Sequence, residues 1–280
     1  MSTKGAIFFA YNNDKIDYVK LSVLAASSVK KHLQLPCTLI TDKKINESIF
    51  DTVIVEKKEK GKNVRTFYDT ENNNFLAQFN NLNKHKVFDL SPYDQTILFD
   101  VDFLVNNAIL NLAFDVNSPI QLYKNAQTLK NTEPEHALDR QLNIDGMSLY
   151  WSTVIYFDKS SMSKMFFNIW EYVKNNYDYF QLLCNFPKGL YRTDYAVSIA
   201  MHILKGYSEY SDDLFSELPA SPMKYMAYKD DIINVDKHGI TFLVSNNEKN
   251  YLTYSTEENL HIMNKMSMFR HFNNLLKLYE

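Results

Sequence analysis

The chain has 280 residues, 45% of them hydrophobic and 14% aromatic, the composition of an ordinary globular protein long enough for one large domain or two small ones. Thirty Lys and Arg against 33 Asp and Glu leave a net charge of −3, which excludes a whole-molecule field that would draw the protein onto nucleic acid or an anionic membrane; any polyanion site must be local. Two cysteines, Cys37 and Cys184, no signal-peptide pattern, and no apolar run near the roughly 20 residues of a membrane span predict a cytoplasmic protein with no membrane partner.

"GAIFFAYNN" (5–13) reads as a short apolar strand stopped by an Asn pair. "DYVKLSVLAASSVKKHL" (17–33) follows as a helix, with Val19, Val23, Leu24, Ala26 and Val29 near helical spacing, and "LPCTLITD" (35–42) as a second strand. Such a β-α-β opening puts residues 10–17 at the carboxyl end of the first strand, where open α/β sheets bind nucleotides. No G-x-G-x-x-G accompanies it, so a phosphate would need another partner. After the strand "DTVIVEK" (51–57), the charged, Asn-rich "KEKGKNVRTFYDTENNN" (58–74) reads either as a mobile loop that offers Arg65 and Tyr68 to a ligand or as a solvated linker. Phe75 to Leu90 has a helical pattern carrying Lys84, His85 and Lys86, and "SPYD" (91–94) turns the chain into the next strand.

That strand, "QTILFDVDFLV" (95–105), is almost wholly apolar except for Asp100 and Asp102. The period of two in a strand predicts that both carboxylates point to one side. There they repel unless a cation, a proton or hydrogen-bond donors compensate, and a hard divalent ion with open positions for phosphate oxygens is one compensator. In isolation the motif is also compatible with Asp100 ending the strand and Asp102 facing water.

In the second half, "SLYWSTVIYFD" (148–158) is a predicted strand headed by Trp151, Ser152 and Thr153. "SSMSKMFFNIWEYVKNNYDYF" (160–180) is a predicted amphipathic helix, and "YRTDYAVSIAMHIL" (191–204) another, with Thr193 and Asp194 as N-cap candidates. A hairpin is expected around "DKHGITF" (236–242), and "ENLHIMNKMSMFRHFNNLLKLY" (258–279) ends the chain as an amphipathic helix preceded or opened by His261 and Lys265. There is no internal repeat.

Taken in order, these parts resemble a GT-A glycosyltransferase. The chain is most similar to the glycogenin and lipopolysaccharide galactosyltransferase group, and closer still to the small glycosyltransferase-like proteins of T-even-type bacteriophages, several of which decorate hydroxymethylated DNA bases. The resemblance covers nearly the whole length. It implies an α/β fold, a GT-A (Rossmann-like) mixed sheet flanked by helices with a smaller C-terminal acceptor-side lobe, in a single domain of which 1–105 is the nucleotide-sugar-binding half and 106–280 the acceptor-side half with the C-terminal helix. It implies that Asp100, Asp102 and His261 hold Mn²⁺ or Mg²⁺ against the diphosphate of a UDP-sugar donor. Ala10, Tyr11, Asn12 and Asp17 match the nucleoside-binding first loop, Arg65 adds a donor-side contact, Lys84 lies by the donor sugar and phosphates, and Lys265 neutralises the leaving group. Asp194 is the candidate base at the sugar site, with Lys84 as the second catalytic group.

The departures from the family are as informative. Trp151, Ser152 and Thr153 stand where N-S-G is usual, which implies a bulkier donor pocket and a different sugar, a pentose such as arabinose among them. Tyr195 replaces the glutamine of a D-Q pair, so retention of configuration does not follow from the resemblance. His261 and Lys265 stand two residues closer together than in glycogenin-like enzymes. The expected activity is metal-dependent sugar transfer from a nucleotide sugar to 5-hydroxymethylcytosine in phage DNA, in the host cytoplasm if phage-encoded. The alternatives are a glycan or protein acceptor and a catalytically inert nucleotide-binding module.

Overall fold

The computed structural model describes residues 2–59, 63–70, 73–134, 141–143, 146–207, 215–244, 250–255 and 257–280. The first half runs β1 (Lys4–Phe9), α1 (Tyr18–Leu33), β2 (Cys37–Thr41), β3 (Thr52–Val55), β4 (Val64–Tyr68), β5 (Asn74–Gln78), a 3₁₀ turn (Lys84–Lys86), α2 (Val87–Leu90), β6 (Gln95–Phe99), β7 (Phe103–Leu104), β8 (Ile120–Tyr123) and β9 (Ala126–Thr128). The second runs β10 (Trp151–Asp158), α3 (Ser161–Asn175), α4 (Tyr177–Leu183), α5 (Thr193–Leu204), β11 (Ser216–Glu217), β12 (Met223–Met226), β13 (Asp231–Asp236), β14 (Gly239–Val244), β15 (Tyr251–Ser255), β16 (Leu260–Ile262), α6 (Lys265–Arg270) and α7 (Phe272–Tyr279).

Among the described residues, seven strands form a central mixed sheet in the order β11-β8-β10-β6-β1-β2-β3. β1 pairs in parallel with β2 and β6, and β10 runs antiparallel between β6 and β8. The fully buried β2 and the nearly fully buried β1 and β6 are the continuous apolar runs a covered parallel sheet requires. Helix α1 packs on β1 and β2, α5 on β10, and α3 on α5, so the expected mixed α/β sheet flanked by helices is what forms. Its centre is close-packed: Phe8 and Phe99 stack at 5.8 Å, and a Cβ on Gly5 would come within 2.3–2.5 Å of the Tyr93 ring, so only glycine fits there.

Smaller sheets complete the molecule. β7-β16-β12-β9 make one, β13-β14-β15 another, and the hairpin expected around residues 236–242 is the antiparallel β13–β14 pair. No helix among the described residues is long and apolar enough to cross a membrane.

Several expected elements form differently. The 58–74 stretch is not loop throughout: β4 and β5 make an antiparallel hairpin whose Phe67 and Phe75 stack at 5.8 Å, a cross-strand aromatic pair that outweighs the surrounding charge, while 58–59, 63, 69–70 and 73 are irregular. Residues 60–62 and 71–72 of that stretch lie outside the described residues. Phe75–Leu90 is a strand and a short helix rather than one helix, because buried Asn80, Asn81 and Asn83 spend their amides on loop bonds such as Tyr11 N–H to Asn81 Oδ1, 3.0 Å. The 160–180 helix breaks at Asn176, whose amide donates to Tyr172 O at 2.8 Å. The terminal helix is a strand followed by two short helices, with Asn264 capping α6 through Ser267 N–H. Arg192, not Thr193 or Asp194, occupies the N-cap of α5; Asp194 is turned instead toward Ser152.

Candidate active site

Asp100 and Asp102 do not sit within a strand. β6 ends at Phe99, and Asp100–Asp102 form a turn closed by Phe103 N–H to Asp100 O at 3.1 Å. They converge all the same, for a different reason than strand alternation. Asp100 N–H donates to Thr153 O of β10 at 2.7 Å, which fixes it at the carboxyl end of the central sheet. Asp102 O accepts from Ile262 N at 2.8 Å while Phe103 pairs with His261 across β7–β16, so the small sheet delivers His261 to the same point.

The ligand atoms of Asp100, Asp102 and His261 lie within 4.8 Å of one another, and no other such group of His, Cys, Asp and Glu occurs among the described residues. His261 Nε2 is 3.4 Å from Asp102 Oδ2, and its Nδ1 is buried without a hydrogen-bond partner. Two lysines complete the cluster. Lys84, opening the 3₁₀ turn, pairs with Asp100, and Lys265, opening α6, pairs with Asp102.

Two carboxylates this close repel by about 3–4 kcal/mol at an effective dielectric constant near 20. Burial raises Asp100 and the Asp102 charge adds to that, with Lys84 opposing; for Asp102 burial is outweighed by Lys265 and His261, which hold it well below the usual range. Asp102 is therefore the carboxyl that stays ionised first. Two carboxylate oxygens and an imidazole with an orphan ring nitrogen fit a divalent ion, and the imidazole suits Mn²⁺ better than oxygen-preferring Mg²⁺.

A cleft of about 450 Å³ opens over the cluster. Trp151, Ser152 and Thr153 form one wall at a register shift in β10, where a bulge re-aims side chains. Trp151 is backed by Tyr225 at 5.6 Å. Asp194 Oδ1 accepts from Ser152 N at 2.9 Å and Ser152 Oγ at 2.7 Å. Burial raises the Asp194 pKa, but the Arg192 charge, the Ser152 hydrogen bonds and the Lys84 charge lower it further, so it is an anion facing the cleft. Arg65 reaches in from β4, its guanidinium 3.7 Å from the Phe79 ring centre and bonded to Tyr191 O.

The cleft thus gathers Arg65, Lys84, Asp100, Asp102, Trp151, Ser152, Thr153, Asp194, His261 and Lys265. It does not take in Ala10, Tyr11, Asn12 or Asp17. Those four build the loop beside it: Asn12 donates to Asp17 Oδ1 at 2.8 Å and accepts from Val19 N at 2.9 Å, while Asp17 caps α1 through Lys20 N–H. The loop's product is Tyr18, missed in the sequence, which α1 carries into the cleft with its hydroxyl buried and without a partner. Burial and the Asp102 charge push that phenol far up, so it keeps its proton and is a fixed hydrogen-bond donor. Arg192 and Tyr228 were also missed; Arg192 adjoins the T-D pair in sequence, whereas nothing around Tyr228 marks it. A larger cleft, about 640 Å³, lies beside Lys124, Gln127 and Glu133, where no cluster of metal-ligating groups occurs among the described residues.

No protein-family model and no curated protein matches the sequence. Among solved structures, the chain is similar to the apo-form glycosyltransferase GlyE of Streptococcus pneumoniae TIGR4 at 14% identity, over 76% of this chain and 45% of that one, with a TM-score of 0.39. A second GlyE structure gives 13% identity, 77% and 45% coverage, and a TM-score of 0.41. The galactosyltransferase LgtC, in complex with donor and acceptor sugar analogs, gives 10% identity over 70% of each chain and a TM-score of 0.44. The chain spans less than half the length of GlyE. Likenesses this loose carry no weight for function; the cleft's own chemistry does.

Proposed function

We propose that the chain is a GT-A-type glycosyltransferase that uses a divalent metal and a UDP-sugar. The observation that carries this is the meeting of Asp100, Asp102 and His261 with Lys84 and Lys265 at the carboxyl end of a central sheet that lacks a glycine phosphate loop. Asp100, Asp102 and His261 would hold the metal, which when bound supplies positive charge to a diphosphate. The two ammonium groups are the protein's own cations for the leaving diphosphate, and Tyr18 O–H is a further donor to the same region. In the reaction the bond from the sugar's anomeric carbon to the diphosphate oxygen breaks, a bond to the acceptor oxygen forms, and the acceptor's proton is released. Asp194 is the carboxylate we assign to the sugar face. Its lowered pKa suits it to stabilising an oxocarbenium-like state and orienting the acceptor hydroxyl more than to a strong base role.

The donor we propose is a UDP-pentose such as arabinose, because the Trp151 indole, fixed by Tyr225, fills the wall where a smaller residue would leave room. The acceptor we propose is 5-hydroxymethylcytosine in DNA, on the phage-type resemblance. A glycan acceptor is the second reading, favoured by lysines that are already ion-paired: Lys30 lies 3.0 Å from Asp51, and Lys86 and Lys174 pair with Glu56 and Glu59.

The test is hydrolysis of a panel of UDP-sugars, then transfer to hydroxymethylated DNA, unmodified DNA and oligosaccharides with mass readout. Chelation should abolish turnover and Mn²⁺ restore it. Full activity in Asp100→Ala and Asp102→Ala would overturn the assignment.

A further inference from the structure

We propose that Arg65 and Arg192 form a phosphate-recognition site on the acceptor side of the cleft, where they hold the phosphodiester of the nucleotide that receives the sugar. This rests on the DNA-acceptor reading above and assigns the recognition of that acceptor to two of the chain's own groups.

Both side chains line the cleft, and one peptide brings them together: the Arg65 guanidinium, carried by β4, bonds to Tyr191 O, the carbonyl immediately before Arg192. Each lies against an aromatic ring, Arg65 at 3.7 Å from the centre of Phe79 and Arg192 at 4.6 Å from that of Tyr195, the residue that stands in place of the family's glutamine. Arg65 is fixed further through its Nε, which donates to Asn63 Oδ1 at 3.3 Å, and Asn63 is itself tied to Tyr191 O at 3.2 Å. Its Nη1 has no acceptor among the described residues. Two guanidinium groups, which stay protonated, therefore converge on one wall and repel each other. Burial disfavours the Arg65 charge, Asp194 favours it, and Arg192 disfavours it again. Asp194 does not offset both: its Oδ1 accepts two bonds from Ser152, and its Oδ2 is 3.9 Å from Arg192 Nη2. Among the residues that line the cleft, Arg65, Lys84, Arg192 and Lys265 stand against Asp100, Asp102 and Asp194, an excess of one positive charge. A phosphodiester carries one negative charge, and the planar fork of a guanidinium matches phosphate oxygens. The same cleft favours a nucleotide as the source of that phosphate. Tyr68, 37% exposed, and Tyr228 line it with ring centres 4.4 Å apart, and aromatic faces of this kind stack bases. A neutral oligosaccharide would offer the guanidinium groups no anion.

The experiment is calorimetric, with Mn²⁺ and saturating UDP filling the donor side. The titrants are 5-hydroxymethyl-2′-deoxycytidine, the same nucleoside as its 5′-methyl phosphodiester, and an oligosaccharide with and without a phosphate group; UDP affinity is measured alongside for every variant. The wild type should bind the phosphodiester about 10–100-fold more tightly than the nucleoside, the scale of hydrogen bonds to a charged group. Arg65→Met and Arg192→Met should each lose most of that advantage, and Arg65→Lys, which keeps the charge without the fork, should retain more of it than Arg65→Met. Arg192→Met, at a side chain 41% exposed, is the variant to read should Arg65→Met fold poorly. Equal binding of nucleoside and phosphodiester by the wild type, or an undiminished advantage in the Met variants, overturns the site while leaving the donor assignment intact. Met variants that lose UDP affinity by the same factor as phosphodiester affinity place the arginines on the donor and overturn it too, as does a gain from phosphate on the oligosaccharide with none on the nucleoside. Binding of neither nucleoside nor phosphodiester, with UDP bound, overturns the DNA acceptor and the site with it. Absence of any UDP binding even with Mn²⁺ overturns the glycosyltransferase reading as a whole.

Discussion

At Asp194, burial works against the charge and the neighbours win: the Arg192 charge, two hydrogen bonds from Ser152 and the Lys84 charge hold the carboxyl below its ordinary range. A group whose folded-state pKa is depressed adds stability that is fully present above the unfolded value, about 3.9, and is lost as pH falls through the folded value. Asp194→Asn should therefore destabilise the protein at pH 7 by about 2 kcal/mol, the scale of hydrogen bonds to an ionised group. The gap to wild type should close as pH drops below about 4. Denaturant titrations at pH 7 and pH 3 measure this, and a gap independent of pH would show that Asp194 is not an anion in the cleft. Trp151 makes a second expectation. Its indole leans on Tyr225 with 32° between the rings, so truncation opens the wall instead of letting the ring swing aside. In Trp151→Asn the ratio of UDP-hexose to UDP-pentose hydrolysis should rise by about 10-fold, within the range that one pocket-filling group commands. An unchanged ratio would remove Trp151 from donor choice.

Helix α1 links the first-loop residues to the cleft. Asp17 accepts from Lys20 N–H at 2.9 Å and from Asn12 Nδ2 at 2.8 Å, which starts the helix so that Tyr18 falls inside the cleft. Asp17→Ala should cost about 1 kcal/mol of stability as a lost cap, and it should weaken UDP binding through Tyr18 without changing Mn²⁺ requirement; calorimetry and thermal melts separate the two effects. Much at this scale was legible in the sequence. Strands β1, β2, β3 and β10 announce themselves as apolar runs, whereas Asp100, Asp102, His261 and Lys265 form one group in the sequence only through the resemblance to a glycosyltransferase family. Their geometry was not legible, because it comes from the pairing of Phe103 with His261, a contact between residues far apart in the chain that no local pattern encodes. The β4–β5 hairpin was misread for a related reason: its period of two is short and set among charges, and the decisive Phe67–Phe75 stacking exists only once the strands pair. The asparagines at 80, 81 and 83 look like loop punctuation or helix surface in sequence, and become buried hydrogen-bonding groups only in the fold.

The whole molecule carries a net charge of −3, and this sets how a DNA acceptor could be held. A slightly acidic protein gains nothing from its overall field, so phosphate contacts must come from a local face, and several candidate lysines are already committed to Asp51, Glu56 and Glu59. Each phosphate neutralised releases counterions and contributes a slope of about −0.9 in log affinity against log salt. About two to four contacts are expected from one local face, and the KM for duplex DNA should vary with salt with a log–log slope of about 2 to 4 in magnitude. The depth of the cleft adds a second signature. A hydroxymethyl group on a stacked base would have to leave the duplex to reach Asp194 and the cluster below it, at a cost of a few kcal/mol in unpairing, on the order of that seen for base flipping. Single-stranded or mismatched hydroxymethylated DNA should then react faster than matched duplex, whereas a glycan acceptor would show neither preference and almost no dependence on salt. Transfer assays on the three DNA forms and on an oligosaccharide panel, each across a salt series, decide between them: steep salt dependence with faster reaction on unpaired bases supports DNA, and salt-independent transfer to oligosaccharides with none to DNA assigns the acceptor to a glycan.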